Sequence, residues 1–321
     1  MEPAAHRLVV LVDDDNLVVR TAARFLKTHG YDTLVFGTAQ EALDELSQLS
    51  PFAIVADLHM PGMNGAELLS LARTCAPAAN RILLTAESEV ATLARTMPIM
   101  VAHAVVPKTD LQKSLPLALE RMRRDGERLT RHTEAIAVAT GMVRALQARH
   151  ITTVGEVVQL SHWTRYLAQQ YGLSEEQIRE AELGALLHDV GKLGLPDEVL
   201  FPGHRPSPQQ QVALRRHTEI GVSMLQDSSL LRGGVEIVGH HHERWDASGY
   251  PAKLNGEAIP IKARIFAAVA GYASHHANLV QHGVDAHRKA CEALRNEVGR
   301  YYDPRVVEAL LSIPRQVWTG S

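Results

Sequence analysis

Apolar residues in the first third of the chain fall in short runs that each end on a polar side chain. Leu8 to Val12 stops at Asp13-Asp14-Asp15, Phe52 to Ala56 at Asp57, Arg81 to Leu84 at Thr85, and Ala102 to Val106 near Lys108. Continuous apolar runs of this length read as strands buried on both faces. Between them the spacing turns helical, from Leu17 to His29 closed by Gly30 and from Ala39 to Leu49 closed by Pro51. Strands alternating with helices predict an α/β doubly wound domain around a parallel sheet. Ligands of such sheets bind at the carboxyl ends of the strands, so Asp13, Asp14, Asp57, Thr85 and Lys108 are expected to converge on one edge.

From Leu111 to His150 the pattern is helical, with eight Lys and Arg against four Asp and Glu. It reads either as a solvated surface helix or as a signalling or dimerising helix, since its apolar spacing is no sustained heptad. Beyond it no strand alternation is visible. Helical stripes recur at 154–171, 175–190, 208–226, 230–243, 262–276 and 286–298, which predicts an all-α second domain.

A length of 321 residues agrees with two domains. No apolar run nears the roughly 18 residues needed to cross a bilayer, and the start runs into an acidic cluster, so membrane insertion is not expected and a cytoplasmic location is. Two distant cysteines, Cys75 and Cys291, support neither a disulfide framework nor a thiolate metal site. A net charge of -3 and the lack of a basic helix-turn-helix pattern argue against DNA binding. Seventeen histidines in a chain with fifteen aromatic residues do change the picture, because imidazoles in such number call for a chemical reason.

At the amino-terminal edge, three carboxylates, a hydroxyl and a lysine make a site for a divalent cation and a phosphoryl group. Hard oxygen ligands suit Mg²⁺, and Thr85 and Lys108 can hold phosphoryl oxygens. These residues, in VDDD, ADLHMPGMNG, LTA and PK, resemble a two-component receiver domain over residues 7–122. The resemblance implies Asp57 as phosphoacceptor, Asp13 and Asp14 as its Mg²⁺-binding pair, Thr85 as switch hydroxyl and Lys108 as the family lysine. It also implies a cognate sensor histidine kinase as partner. Val105 and Thr109 stand where the family usually has an aromatic residue and a proline.

In the second half an apolar stripe, Leu183 to Leu187, runs into His188-Asp189 and Gly191-Lys192, and His217, His240-His241-His242-Glu243 and Gly249-Tyr250-Pro251 follow. Imidazoles with a bridging carboxylate suit Fe, Mn, Ni or Zn, any of which can activate water near neutral pH. HDVGK, RRHTEIG, HHERWDASGYP, ARI and YYDP resemble an HD-GYP domain over residues 150–310. That family hydrolyses cyclic di-GMP at a centre of two or three metals. The resemblance implies His188, Asp189, His217, His241 and His242 as ligands, Lys192 on substrate phosphate, and Gly249, Tyr250 and Pro251 as the substrate loop.

Departures are equally specific. Glu156 stands where the family has its first metal histidine, Thr152 replaces a glutamate, and Ala270 and Ala273 replace aspartates. One metal position, Asp189 with His217, His241 and His242, is therefore complete, and one tightly bound ion is expected. Glu156 reads equally as an inward-facing ligand or as the last residue of a capping box, Thr153-Val154-Gly155-Glu156. The expected organisation is a receiver over 1–122, a helical connection over 123–150 and an HD-GYP-like domain over 151–321. Two functions follow from it. In one, the receiver controls a cyclic di-GMP phosphodiesterase; in the other, a degenerate domain binds a nucleotide or a protein partner without turnover. A homodimer is compatible with both.

Overall fold

The computed structural model describes residues 7–86, 88–90, 93, 101–203, 205–280 and 285–319. The chain divides into two compact units, up to Arg128 and from Leu129 onwards.

The first unit is a five-stranded parallel sheet. Its elements are β1 (Leu8–Val12), α1 (Asn16–Thr28), β2 (Asp32–Phe36), α2 (Ala39–Leu46), β3 (Ala53–Asp57), α3 (Gly65–Cys75), β4 (Asn80–Thr85) and β5 (Ala104–Pro107). The strand order is β2-β1-β3-β4-β5, with Val12 beside Ala56 and Asp57 beside Leu84. The period of two sorts the strand residues: Val10, Val12, Ile54, Ala56 and Leu83 belong to one buried cluster, and Val9, Leu11, Val55, Ile82 and Leu84 to another. Burial on both faces is why the inner strands read as unbroken apolar runs.

β2 is the strand that the apolar runs do not announce. It lies at the edge of the sheet, Leu34 and Val35 are about two-fifths exposed, and its sequence DTLVF carries an apolar run of only three residues. An edge strand with solvent on one side is under no demand to be apolar throughout.

Helix α4 (Leu111–Ala148) follows, and the boundary between the units falls inside it. The residues expected as a separate connection, 123–150, are thus shared between the units. Leu111, Leu115 and Leu119 belong to the core of the first, while Ala135, Ala139 and Val143 pack in the second with Leu183, Leu186 and Leu187.

The second unit is helical: α5 (Val154–Gln170), α6 (Glu175–Leu187), α7 (Asp197–Leu200), α8 (Pro208–Arg215), α9 (His217–Leu225), α10 (Val235–His240), α11 (Ile261–Val280), α12 (Ala286–Glu297), α13 (Pro304–Ser312) and α14 (Arg315–Thr319). In α6, Ile178 and every residue from Ala181 to Leu187 are buried, so the helix is packed on all sides at its carboxyl end. The stripe read across 208–226 is two helices parted at Arg216, and that across 230–243 contracts to a 3-10 turn and the short α10. α13 was not marked by a stripe. Asp303 caps it through the amides of Arg305 and Val306, Pro304 starts it, and it buries only Val306, Val307 and Leu310. Among the described residues no helix is long and apolar enough to cross a membrane.

Candidate metal and phosphoryl sites

Strand ends build the first site. Asp57 closes β3, Asp13 and Asp14 follow β1, and ligand atoms of the three carboxylates lie within 4.8 Å of one another. Lys108, just past β5, places Nζ 2.8 Å from Asp13 Oδ2 and 2.9 Å from Asp57 Oδ1. Burial pushes the Asp13 carboxyl up from its ordinary value, against the lowering pull of Lys108. Burial alone would lower the Lys108 ammonium, but its bonds to Asp13 and Asp57 carry it above the ordinary value. Thr85 ends β4, is fully buried, and donates its hydroxyl to the Glu89 carboxylate. Glu89 in turn lies 3.2 Å from His59 Nε2. Glu89 joins no motif, and His59 lies in ADLHMPGMNG at a position to which the motif gives no role. Gly65 is also part of this construction, because a Cβ there would lie 2.1 Å from the Asp57 carbonyl oxygen, so α3 can start against β3 only on glycine.

The second site collects side chains from α6, α9 and α10. His188 and Asp189 follow the buried end of α6, His217 opens α9, and His241 and His242 follow α10. The backbone chooses the ring tautomers. His217 Nδ1 lies 2.7 Å from the Leu214 carbonyl, and His241 Nδ1 lies 3.0 Å from that of Ile237 and 3.1 Å from that of Val238. A carbonyl only accepts, so each Nδ1 carries the proton and each Nε2 presents a lone pair. His188 Nδ1 likewise donates to the Ala185 carbonyl at 2.8 Å.

The bare nitrogens of His217 and His241 then face each other at 3.3 Å. Burial pushes both rings below the ordinary imidazole value, and pushes His242 down to about 3, so protons do not relieve that repulsion near neutral pH. A cation does. Ligand atoms of His217, His241 and His242 fall within 4.8 Å of one another. Asp189 lies alongside, with Oδ1 3.6 Å from His217 Nε2 and Oδ2 3.4 Å from His188 Nε2. Burial would raise its carboxyl, but His188, Lys192 and His241 together hold it well below the ordinary value. A fixed anion beside neutral imidazole lone pairs fits a divalent cation.

Lys192 donates from Nζ to Asp189 Oδ2 at 2.7 Å. Tyr250 stacks on His242, with ring centroids 4.6 Å apart, and burial pushes its phenol up to about 12. Its loop is tied back by Glu243, whose buried carboxylate accepts from the amides of Ala252 at 2.7 Å and Leu254 at 3.1 Å. Gly249 packs so closely that a Cβ would lie 2.4 Å from the Arg244 nitrogen. A cavity of about 290 Å³ opens on this cluster, lined by His188, Asp189, Lys192, His242, Ala270 and Tyr301 among others. Glu243, adjacent to the histidines, was read as part of the motif without a role, and its task is loop anchorage.

Glu156 is not in this cluster, which corrects its reading as a metal ligand and leaves the other reading, the capping box. Its carboxylate accepts from the Thr153 amide at 3.2 Å while Thr153 Oγ1 accepts from the Glu156 amide at 3.2 Å, and the residue is exposed. At the start of α5 an amide with no partner within the helix takes up the carboxylate. His275 pairs with Glu297 at 3.1 Å rather than joining the ligands.

Residues 9–119 match the response regulator receiver domain family, and residues 117–306 match the HD domain family. The chain is 25% identical to a cyclic di-GMP phosphodiesterase of Thermotoga maritima, over 96% of its own length and 91% of that protein's. It is 37% identical to the cyclic di-GMP phosphodiesterase response regulator RpfG of Xanthomonas campestris pv. campestris, over 53% of this chain and 46% of that one. Similarity of 33% to 3'3'-cGAMP-specific phosphodiesterase 2 of Vibrio cholerae covers 53% of this chain and 33% of that one, so the chain spans less than half the length of these last two relatives.

Proposed function

The chain belongs to the HD domain family and carries a response regulator receiver domain ahead of it, and on that premise we propose that its receiver, phosphorylated on Asp57 by a sensor histidine kinase, controls metal-dependent hydrolysis of cyclic di-GMP in the cytoplasm. The observation that carries the reading is the 3.3 Å approach of two tautomer-fixed Nε2 lone pairs, His217 and His241, next to Asp189 and Lys192. All-carboxylate donors at Asp13, Asp14 and Asp57 suit Mg²⁺, whereas the imidazole-rich set suits Fe, Mn, Ni or Zn. His217, His241, His242 and Asp189 would hold the latter ion, with His188 at its flank.

When bound, a divalent cation supplies Lewis-acid polarisation of phosphoryl oxygens and makes water a stronger acid. Lys192 provides a fixed positive charge for the phosphate, and because Asp189 holds the amine at 2.7 Å it does so without searching its rotamers. Tyr250, with its phenol near 12, stays protonated and donates to an anionic oxygen. Stacking on His242 sets where that donor points. Ala270 lines the same cavity, so a carboxylate is missing where a second ion would need one. Slow turnover is the consequence, since two cations normally stabilise both attacking and leaving oxygens.

The test is metal analysis alongside a cyclic di-GMP hydrolysis assay, with pGpG and GMP as products. Wild-type protein should retain about one ion and turn over slowly. His241→Ala should lose both, and Ala270→Asp should raise metal content and rate. Hydrolysis undiminished in His241→Ala would overturn the assignment.

A further inference from the structure

Arg149, the residue after α4, has no place in the ligand set, yet its guanidinium grips the turn that follows the His188-Asp189 pair. Nη1 donates to the Leu193 carbonyl at 3.0 Å and to that of Lys192 at 3.4 Å, Nη2 donates to the Leu195 carbonyl at 3.1 Å, and the same group pairs with the Asp197 carboxylate. The turn, a 3-10 segment Val190–Gly194, is closed at its two ends by the Lys192 amide on the Asp189 carbonyl at 2.9 Å and the Leu195 amide on the Lys192 carbonyl at 3.2 Å. Carbonyls at the end of a helical turn have no partner within the turn, and a planar fork of five donors can serve several at once.

The opposite side of the turn is equally fixed. A Cβ on Gly191 would lie 1.9 Å from the His217 carbonyl oxygen and 2.6 Å from the Gly221 amide nitrogen, so the turn presses backbone to backbone on α9. Lys192 is therefore held at both ends, its carbonyl by Arg149 and its amine by Asp189. We propose that Arg149 is a positioning residue that clamps the Val190–Leu195 turn against α9 and thereby sets the reach of Lys192 toward the substrate phosphate. This rests on the phosphodiesterase reading above. A lysine stem is flexible, so the reach of the amine is set only when both ends of the stem are held, as they are here by Arg149 at the carbonyl and Asp189 at the amine.

The experiment uses the full chain with Arg149→Met, which keeps much of the stem, and Arg149→Lys, which keeps the charge but not the fork. Three readouts are taken: bound metal, amide hydrogen exchange over 190–195, and cyclic di-GMP affinity and turnover in wild-type and Lys192→Met backgrounds. Metal content should not change, because His217, His241 and His242 stand at the start of α9 and just past α10, outside the turn. Exchange in the turn should speed up by about tenfold or more in both variants, since hydrogen bonds to a charged group are lost. Affinity should fall about tenfold with Lys192 present and not at all in Lys192→Met, with kcat little moved. Unaltered exchange, losses that add across the two backgrounds, full rescue by Arg149→Lys, or loss of metal would each overturn the proposal. Wild-type protein that neither binds nor hydrolyses cyclic di-GMP would overturn the phosphodiesterase reading instead, and the exchange measurement would still decide whether Arg149 clamps the turn.

Discussion

His188, His217 and His241 are each oriented by backbone carbonyls. Without the Leu214 and Ile237 carbonyls, His217 and His241 would be free to present either nitrogen, and the cluster would have no fixed lone pairs. Burial does the rest, disfavouring the imidazolium form in His217 and His241 and pushing His242 down to about 3. The sign of the pH dependence follows. Unfolded histidines bind protons below about 6.5 and these folded ones do not, so metal-free protein should lose stability as pH falls from 6.5 toward 3. The loss is up to about 1.4 kcal/mol per pH unit for each such histidine, and denaturant titrations of stripped protein at pH 7.5, 6 and 5 would measure it. Flat stability over that range would contradict the neutral assignment. In the receiver, Lys108 bridges Asp13 and Asp57 at 2.8 and 2.9 Å, and Asp57, at the end of β3, is the carboxylate proposed to take the phosphoryl group. Asp57→Asn should abolish phosphate uptake from acetyl phosphate with Mg²⁺, as read by phosphate-affinity gel mobility.

Elements show where a residue's neighbours in sequence overrule its place in a motif. Glu156 stands where the related family has a ligand, but its carboxylate is used by the Thr153 amide at the start of α5. Glu156→Ala should therefore leave bound metal unchanged and cost about 0.5–2 kcal/mol of stability, the ordinary loss for a helix cap, seen in parallel metal analysis and urea unfolding. Glu182 on α6 is tied to His132 on α4 at 3.0 Å and to Arg165 on α5 at 3.2 Å. Burial alone would raise its carboxyl, but these two partners hold it below the ordinary value. Stability from a depressed carboxyl is complete above the unfolded value of about 4.3 and is lost as pH falls through the folded one. Glu182→Gln should thus be less stable than wild type by about 1–3 kcal/mol at pH 7, and the gap should close as the pH drops below 4.

Across the whole molecule, the proposed phosphorylation of Asp57 would have to be felt at the histidine cluster of the second unit. α4 contributes Leu111, Leu115 and Leu119 to one core and Ala135, Ala139 and Val143 to the other, so one helix belongs to both units. Coupling between two sites of a protein is commonly worth about 5–150-fold in affinity. Acetyl phosphate with Mg²⁺ should raise cyclic di-GMP hydrolysis by an amount of that order in the wild type and by none in Asp57→Asn. An equal response in both would show that the phosphodonor acts elsewhere.

The inner strands were legible because burial on both faces requires unbroken apolar runs, and the residues that end them could be named because strand ends of a parallel sheet share one edge. His188, Asp189, His217, His241 and His242 were legible for a related reason, since each abuts an apolar helical stripe that has to bury it. The edge strand β2 and the break at Arg216 were not, because solvent exposure relaxes the pattern and helix breaks depend on packing. Which nitrogen each imidazole presents, where Glu156 turns and what Arg149 holds were decided only in three dimensions. Each depends on a carbonyl or amide, and every residue carries those groups alike, so only the folded backbone says which side chain they meet.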